Sequence, residues 1–170
     1  MLISKDTPKE AILELVEKEC KLCGHCCLFS SGIVLDDEIP RLAEHLGMST
    51  EEFKKRYLEQ FTKFHTTRHR FKQVRVGSAP HGRCVFLDLE TNKCKIHEVK
   101  PLHCRISTCS IYGEDVQKWF DVNFFLNPND PQSVREYNLY LEFKEPLLGA
   151  ELESLLPEED LKKILNYERW

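Results

Sequence analysis

Cys20-Lys21-Leu22-Cys23-Gly24-His25-Cys26-Cys27 places four of the chain's eight cysteines within eight residues. A folded core has no need of thiols at that density, whereas a soft metal has. Thiolates bind zinc, or the irons of an iron–sulfur cluster, far better than they bind magnesium or calcium. The other four, Cys84, Cys94, Cys104 and Cys109, form a second run with gaps of nine, nine and four residues. Two-residue gaps between Cys20, Cys23 and Cys26 let a loop wrap a cluster and turn three sulfurs inward, the spacing used by bacterial-type ferredoxins. Neighbouring side chains usually point apart. Cys27 therefore either faces a second centre or leaves the fourth position of the first to a cysteine of the second run. Eight thiols suffice for two four-cysteine centres. Structural zinc sites normally pair two knuckles of two ligands each, so the pattern favours an iron–sulfur cluster, with zinc as the alternative.

Other residues near the two runs could serve or surround such a centre. His25, His81, His97 and His103 lie beside cysteines, and each is read first as an outer donor or surface residue, since eight thiols are available. Arg105 and Lys100 could donate to a thiolate or offset the negative charge of a four-thiolate site; a surface salt bridge is the plainer reading. Lys63, Arg68, Arg70, Lys72, Arg75 and Arg83 make a basic stretch with no acidic residue between Glu59 and Asp88. Such a stretch could contact phosphate or RNA. With a net charge of -4 it reads better as a solvated face, balanced by acidic residues of the tail such as Glu151 and Glu158.

The elements that must position these residues can be placed by capping and periodicity. Thr7-Pro8-Lys9-Glu10 opens a helix whose stripe is Ile12, Leu13, Val16 and Cys20, which puts the first cluster in the following loop. Gly24 suits a loop that needs positive φ. Leu35 to Glu38 opens a second helix with Ile39, Leu42, Ala43 and Leu46 facing inward and Gly47 at its end. Ser49 and Glu52 form a capping box for a third, whose face is Phe53, Tyr57, Leu58 and Phe61. Residues 64–76 alternate and suit strands. Val85-Phe86-Leu87 and Lys95-Ile96 form a hairpin about Glu90 to Lys93, with Cys84 and Cys94 at its open end. Pro101 starts a short helix carrying Cys104. Aromatic residues crowd 116–126, Asn127 to Pro131 is a break, and Val134 to Phe143 and the segment after Pro157 are helical.

Chain length suits one α+β domain with its own core. N-terminal helices and a small antiparallel sheet or hairpin surround the cysteine site, and a helical tail follows. The expected division is a cysteine-cluster core over 12–110 and an aromatic, helical extension over 111–170. The start lacks the basic and apolar run of a signal peptide, and no stretch approaches the roughly 20 apolar residues of a membrane span. The expected location is cytoplasmic. Thiols stay reduced there, so the clusters read as metal ligands rather than disulfides.

The combination resembles the CxxCxxCC cysteine-cluster family of zinc- or iron-chelating domains. The resemblance is carried by the cluster itself, by Ile33 to Leu42, by Gly82-Arg83-Cys84-Val85-Phe86-Leu87, and by Cys94-Lys95-Ile96-His97 followed by Lys100-Pro101-Leu102-His103-Cys104-Arg105. Lys100 stands where the family usually has arginine, which keeps the charge but loses the bidentate fork. The resemblance implies metal ligation by Cys20, Cys23, Cys26, Cys27, Cys84, Cys94 and Cys104; Cys109 lies outside the pattern but remains a candidate. The family also resembles the cysteine-cluster part of flagellin lysine N-methylases, which implies an iron–sulfur cluster and methyl transfer from S-adenosylmethionine. Those enzymes are longer, and this chain has no Gly-rich nucleotide loop. The expectation is a metal-binding protein with a redox or protein-modifying role. Its alternatives are a methyltransferase component and a zinc-stabilised interaction module. Its partner is an unidentified protein or small molecule, nucleic acid being less favoured and a membrane not expected.

Overall fold

Capping chemistry sets the first elements of the computed structural model, which describes residues 2–168. Helix α1 spans Lys9–Val16 and continues as a 3-10 turn over Glu17–Glu19, so Cys20 follows directly. The Thr7 hydroxyl turns back to accept the Ser4 N–H at 2.9 Å rather than capping forward. A 3-10 turn at Asp36–Glu38 leads into α3, Ile39–His45, and Gly47 beyond it takes φ 64°. Helix α4, Thr50–Tyr57, carries the expected capping box. Ser49 Oγ accepts the Glu52 N–H at 3.2 Å, and Glu52 Oε2 accepts the Ser49 N–H at 3.1 Å.

The third helix ends sooner than its aromatic spacing suggests. Leu58–Lys63 is strand β2, so Leu58 and Phe61 leave the helical face predicted for them. From Glu59 the segment alternates half-buried and exposed positions, and a partner strand is at hand, which decides for the period of two. Strands β1, Ile33–Val34, and β3, Thr66–Phe71, complete a sheet of order β1-β3-β2, with Ile33 opposite Arg70 and Val34 opposite His69. A second antiparallel pair joins β4, Gln73–Val74, to β5, Arg83–Cys84, with Cys84 opposite Gln73. The expected hairpin beyond Cys84 is reduced to a bridge between Leu87 and Cys94, flanked by Asp88 N–H to Lys93 O at 2.9 Å and Lys95 N–H to Phe86 O at 2.9 Å. Helices α5 (Leu102–Ile106), α6 (Gly113–Phe124), α7 (Pro131–Leu141), α8 (Leu152–Leu155) and α9 (Glu158–Leu165) follow. The architecture is the expected mixture of helices and small antiparallel sheets with a helical C-terminal region.

The chain falls into two compact units. One comprises Leu13–Phe61 and Arg68–Ser110. Its core joins Val34, Ile39, Leu42, Phe53, Phe71 and Phe86, with Cys84 among the buried residues and Cys27, Cys94 and Cys104 packed against it. The rings of Phe53, Tyr57, Phe86 and Phe71 follow one another at centroid distances of 5.6, 4.8 and 5.0 Å. Here Arg70 and Arg75 both meet Glu59, at 2.8 and 3.1 Å, so two charges of the basic stretch are answered by Glu59 rather than by the tail.

The other unit gathers the N-terminal segment to Ile12, Thr62–Thr67 and the chain from Ile111 onward. Val116, Trp119, Phe120, Phe125, Val134 and Tyr137 are buried in it. The Trp119 indole donates to Thr7 O at 2.8 Å and the Tyr137 hydroxyl to Ala150 O at 2.9 Å. Lys63 pairs with buried Asp121 at 2.6 Å. Phe64 and His65 both take positive φ, at 48° and 57°, as a two-residue loop between right-twisted strands requires. Neither is glycine, so the turn is held from outside. Phe64 packs edge-on to Tyr137 and Tyr140; the His65 N–H donates to Glu136 Oε2 at 2.7 Å, and His65 Nδ1 lies 2.6 Å from Asp130. Among the described residues, no helix is long and apolar enough to cross a membrane.

Ser49→Ala should lower stability by about 1 kcal/mol, the usual worth of an N-cap, read as a lower denaturant midpoint with an unchanged slope. The hydrogen bond to Asp130 raises the His65 pKa above the ordinary histidine value and lowers that of Asp130. Protonated His65 therefore stabilises the fold at a pH below the ordinary histidine value, and the contribution is lost as pH rises through its raised value. Asp130→Asn should bring the His65 NMR titration midpoint down towards the ordinary value, with the Glu136 charge still raising it. An unchanged midpoint would show that the bridge does not form in solution.

Candidate metal centre

Gly24 takes φ 72° and starts α2, His25–Phe29. The first cysteine run is therefore a loop only as far as Gly24, and Cys26 and Cys27 sit on one helical turn. Their sulfurs are 3.9 Å apart, close enough for an S–H···S hydrogen bond, so this neighbouring pair does not point apart. Helix α2 packs on β5, which ends in Cys84. A Cβ on Gly82 would overlap the Val74 carbonyl, so only glycine lets the chain approach β4 just before Cys84. Cys94 stands in the bridge to Leu87. Cys104 lies on α5, which packs on β1, and a Cβ on Gly32, the residue before β1, would overlap Cys104 Sγ.

These elements enclose a cavity of about 350 Å³. Its wall holds six of the eight predicted ligands: Cys20, Cys26, Cys27, Cys84, Cys94 and Cys104. Cys23 and Cys109 are exposed and outside that wall. All eight cysteines are free thiols. Phe71, Leu87 and Ile96 supply apolar lining, and all three are buried. His97 and His103 also border the cavity, whereas His25 and His81 stand against the ring of Phe29 at 5.3 and 6.4 Å. Arg105 is taken up by Glu17, with Nε to Oε1 at 2.7 Å and Nη2 to Oε2 at 3.0 Å, the salt-bridge reading of that residue. Lys100 borders the cavity.

The thiols act on one another electrostatically. The hydrogen bond from Cys27 lowers the Cys26 pKa to about 6, and the same contact, with burial, raises that of Cys27. Burial pushes Cys84 up to about 11 and raises Cys94 and Cys104 as well. The charge of Cys26 is felt at Cys27, Cys84, Cys94 and Cys104, so these five form one electrostatic group. Among the described residues, no three His, Cys, Asp or Glu side chains are gathered at the spacing of a single ion. The donors are spread around the wall. Their chemistry fits a thiophilic metal: sulfurs from both runs face one space, lined otherwise largely by apolar groups, and Gly32 leaves room for one of them. Sequence reasoning missed Gly32; its signal was the small-residue run Ser30-Ser31-Gly32 behind the cluster.

Comparison with known proteins supports a metal-binding role. "Uncharacterized protein MJ0661" of Methanocaldococcus jannaschii is 28% identical over 172 residues, covering 96% of this chain and 86% of that protein. No solved structure matches the chain with significance. Residues 19–130 match the family model CxxCxxCC, described as "Putative zinc- or iron-chelating domain". That span takes in both cysteine runs and most of the chain, and the protein therefore belongs to the CxxCxxCC family.

Proposed function

We propose that the protein binds an iron–sulfur cluster in the cavity between its two cysteine runs and serves as a redox-active or protein-modifying component. One observation carries this reading: Cys26, Cys27, Cys84, Cys94 and Cys104, from both cysteine runs, border a single cavity of about 350 Å³. Sulfurs spread over such a wall suit a cluster, which takes its thiolates at several metal atoms. Cys20, also in the wall, is a further donor. Cys23 and Cys109, both exposed, complete the set expected from sequence. A bound cluster supplies a one-electron couple. The chain's own part is to hold the thiolates and, through Phe71, Leu87 and Ile96, to keep water from them.

Zinc is the second reading, and the Cys26–Cys27 distance favours it. Two thiolates on one tetrahedral zinc, each at about 2.3 Å, stand about 3.8 Å apart. The sulfurs here are at 3.9 Å.

Anaerobic purification followed by iron, sulfide and zinc analysis separates these readings. Iron with stoichiometric sulfide and a brown visible spectrum is the expected result. Zinc alone would keep the ligands and remove the redox role, and a colourless, metal-free chain would sink both. Cys84→Ser and Cys104→Ser should each abolish most metal binding, and Cys109→Ser should leave at least half. Gly32→Ala should lower metal content several-fold, because the added methyl displaces the Cys104 sulfur. Full loading of that variant would show that the close approach does not matter.

A further inference from the structure

Lys100 and Arg105 stand on either side of Cys104, and the structure separates their roles. The Arg105 guanidinium is spent on Glu17 in a two-pronged bridge. Lys100 is different. It is half-buried, it borders the cavity, and it precedes Pro101, the residue that caps α5. The backbone thus places it between Cys94, in its bridge, and Cys104, on that helix. Lys93 also borders the cavity but is exposed. We propose that Lys100 is the charge partner of the bound cluster, a positioning residue whose ammonium sets the cluster's reduction potential.

A four-thiolate centre concentrates negative charge in a wall where apolar groups dominate, and reduction adds one more. A fixed positive charge close by stabilises the reduced state more than the oxidised one and so raises the potential. In the assay one electron passes from dithionite to the oxidised cluster and no bond breaks. The added charge is what the ammonium meets. Lysine is a compact point charge on a flexible stem, so this role needs no fork geometry.

The inference rests on the iron–sulfur reading, and one titration distinguishes the failure of each. Anaerobically purified full-length protein is titrated electrochemically, with absorbance as the readout, in the wild type and in Lys100→Met and Lys100→Arg. Iron and sulfide per chain are measured for each. The expected result is equal iron content, a more negative potential for Lys100→Met, and a return towards the wild-type value for Lys100→Arg. A purely structural role would instead change iron content or melting temperature and leave the potential in place. Should Lys100→Met fail to retain iron, Lys100→Gln is read in its place with the same expectation. An unshifted potential in the loaded variant overturns the role of Lys100 and leaves the cluster standing. A wild-type protein that carries zinc and shows no redox transition overturns the cluster and this inference with it.

Discussion

The cysteine site and the hydrophobic core of its unit are built from shared residues. Cys84 is buried with Phe71, Phe86 and Ile96, and Cys27, Cys94 and Cys104 pack on the same cluster. Phe71 and Ile96 also line the cavity. The positions of the sulfurs are therefore set by core packing, which tolerates little displacement. A substitution that loosens this core also moves a ligand. The reverse holds as well, since a thiol in an apolar wall is costly to ionise until a metal or a cation compensates it.

Most of the elements around this core exist to bring distant pieces of chain into it. Helix α2 delivers two sulfurs at once because Gly24 starts it with a left-handed residue. β4 and β5 pair over only two residues each, yet that pairing places Cys84 under α2. Helix α5 has only five residues, and its N-terminus is held by Glu38, whose Oε1 accepts the Leu102 N–H at 2.7 Å. The same carboxylate accepts the Leu35 N–H through its other oxygen at 3.0 Å. One glutamate thus ties the start of α5 to the turn before α3. Burial raises the pKa of Glu38 while these two backbone donors oppose the rise.

Much of this was legible in the residues, and the exceptions have physical causes. The capping box at Ser49, the helix after Asp36, the proline start of α5 and the break at Asn127 are local signals, and local signals survive folding. The end of α4 was misplaced because Leu58 and Phe61, three residues apart, continue the helical stripe, and it is the neighbouring strand β3 that draws the segment into a sheet. The expected separation of Cys26 from Cys27 failed for a related reason: one helical turn is enough to bring their sulfurs together. Gly32 was not singled out at all, because its importance lies in a contact with a residue far along the chain. The half-buried cation that borders the cavity could not be chosen from sequence either. Lys100 lies four residues before Cys104 and Arg105 directly after it, and it is the position of Glu17 that removes Arg105 from the choice.

The Glu17–Arg105 bridge joins partners 88 residues apart, at the mouth of the first cysteine run and the end of the second. During synthesis the first run leaves the ribosome well before the second. At about 5–20 residues per second, the interval between these two partners is on the order of 4–18 s. For that time Cys20, Cys23, Cys26 and Cys27 are on a chain that has no cavity to shelter them. Whatever loads this site must either wait for Arg105 to emerge or keep the early thiols from oxygen and from stray ions until it does.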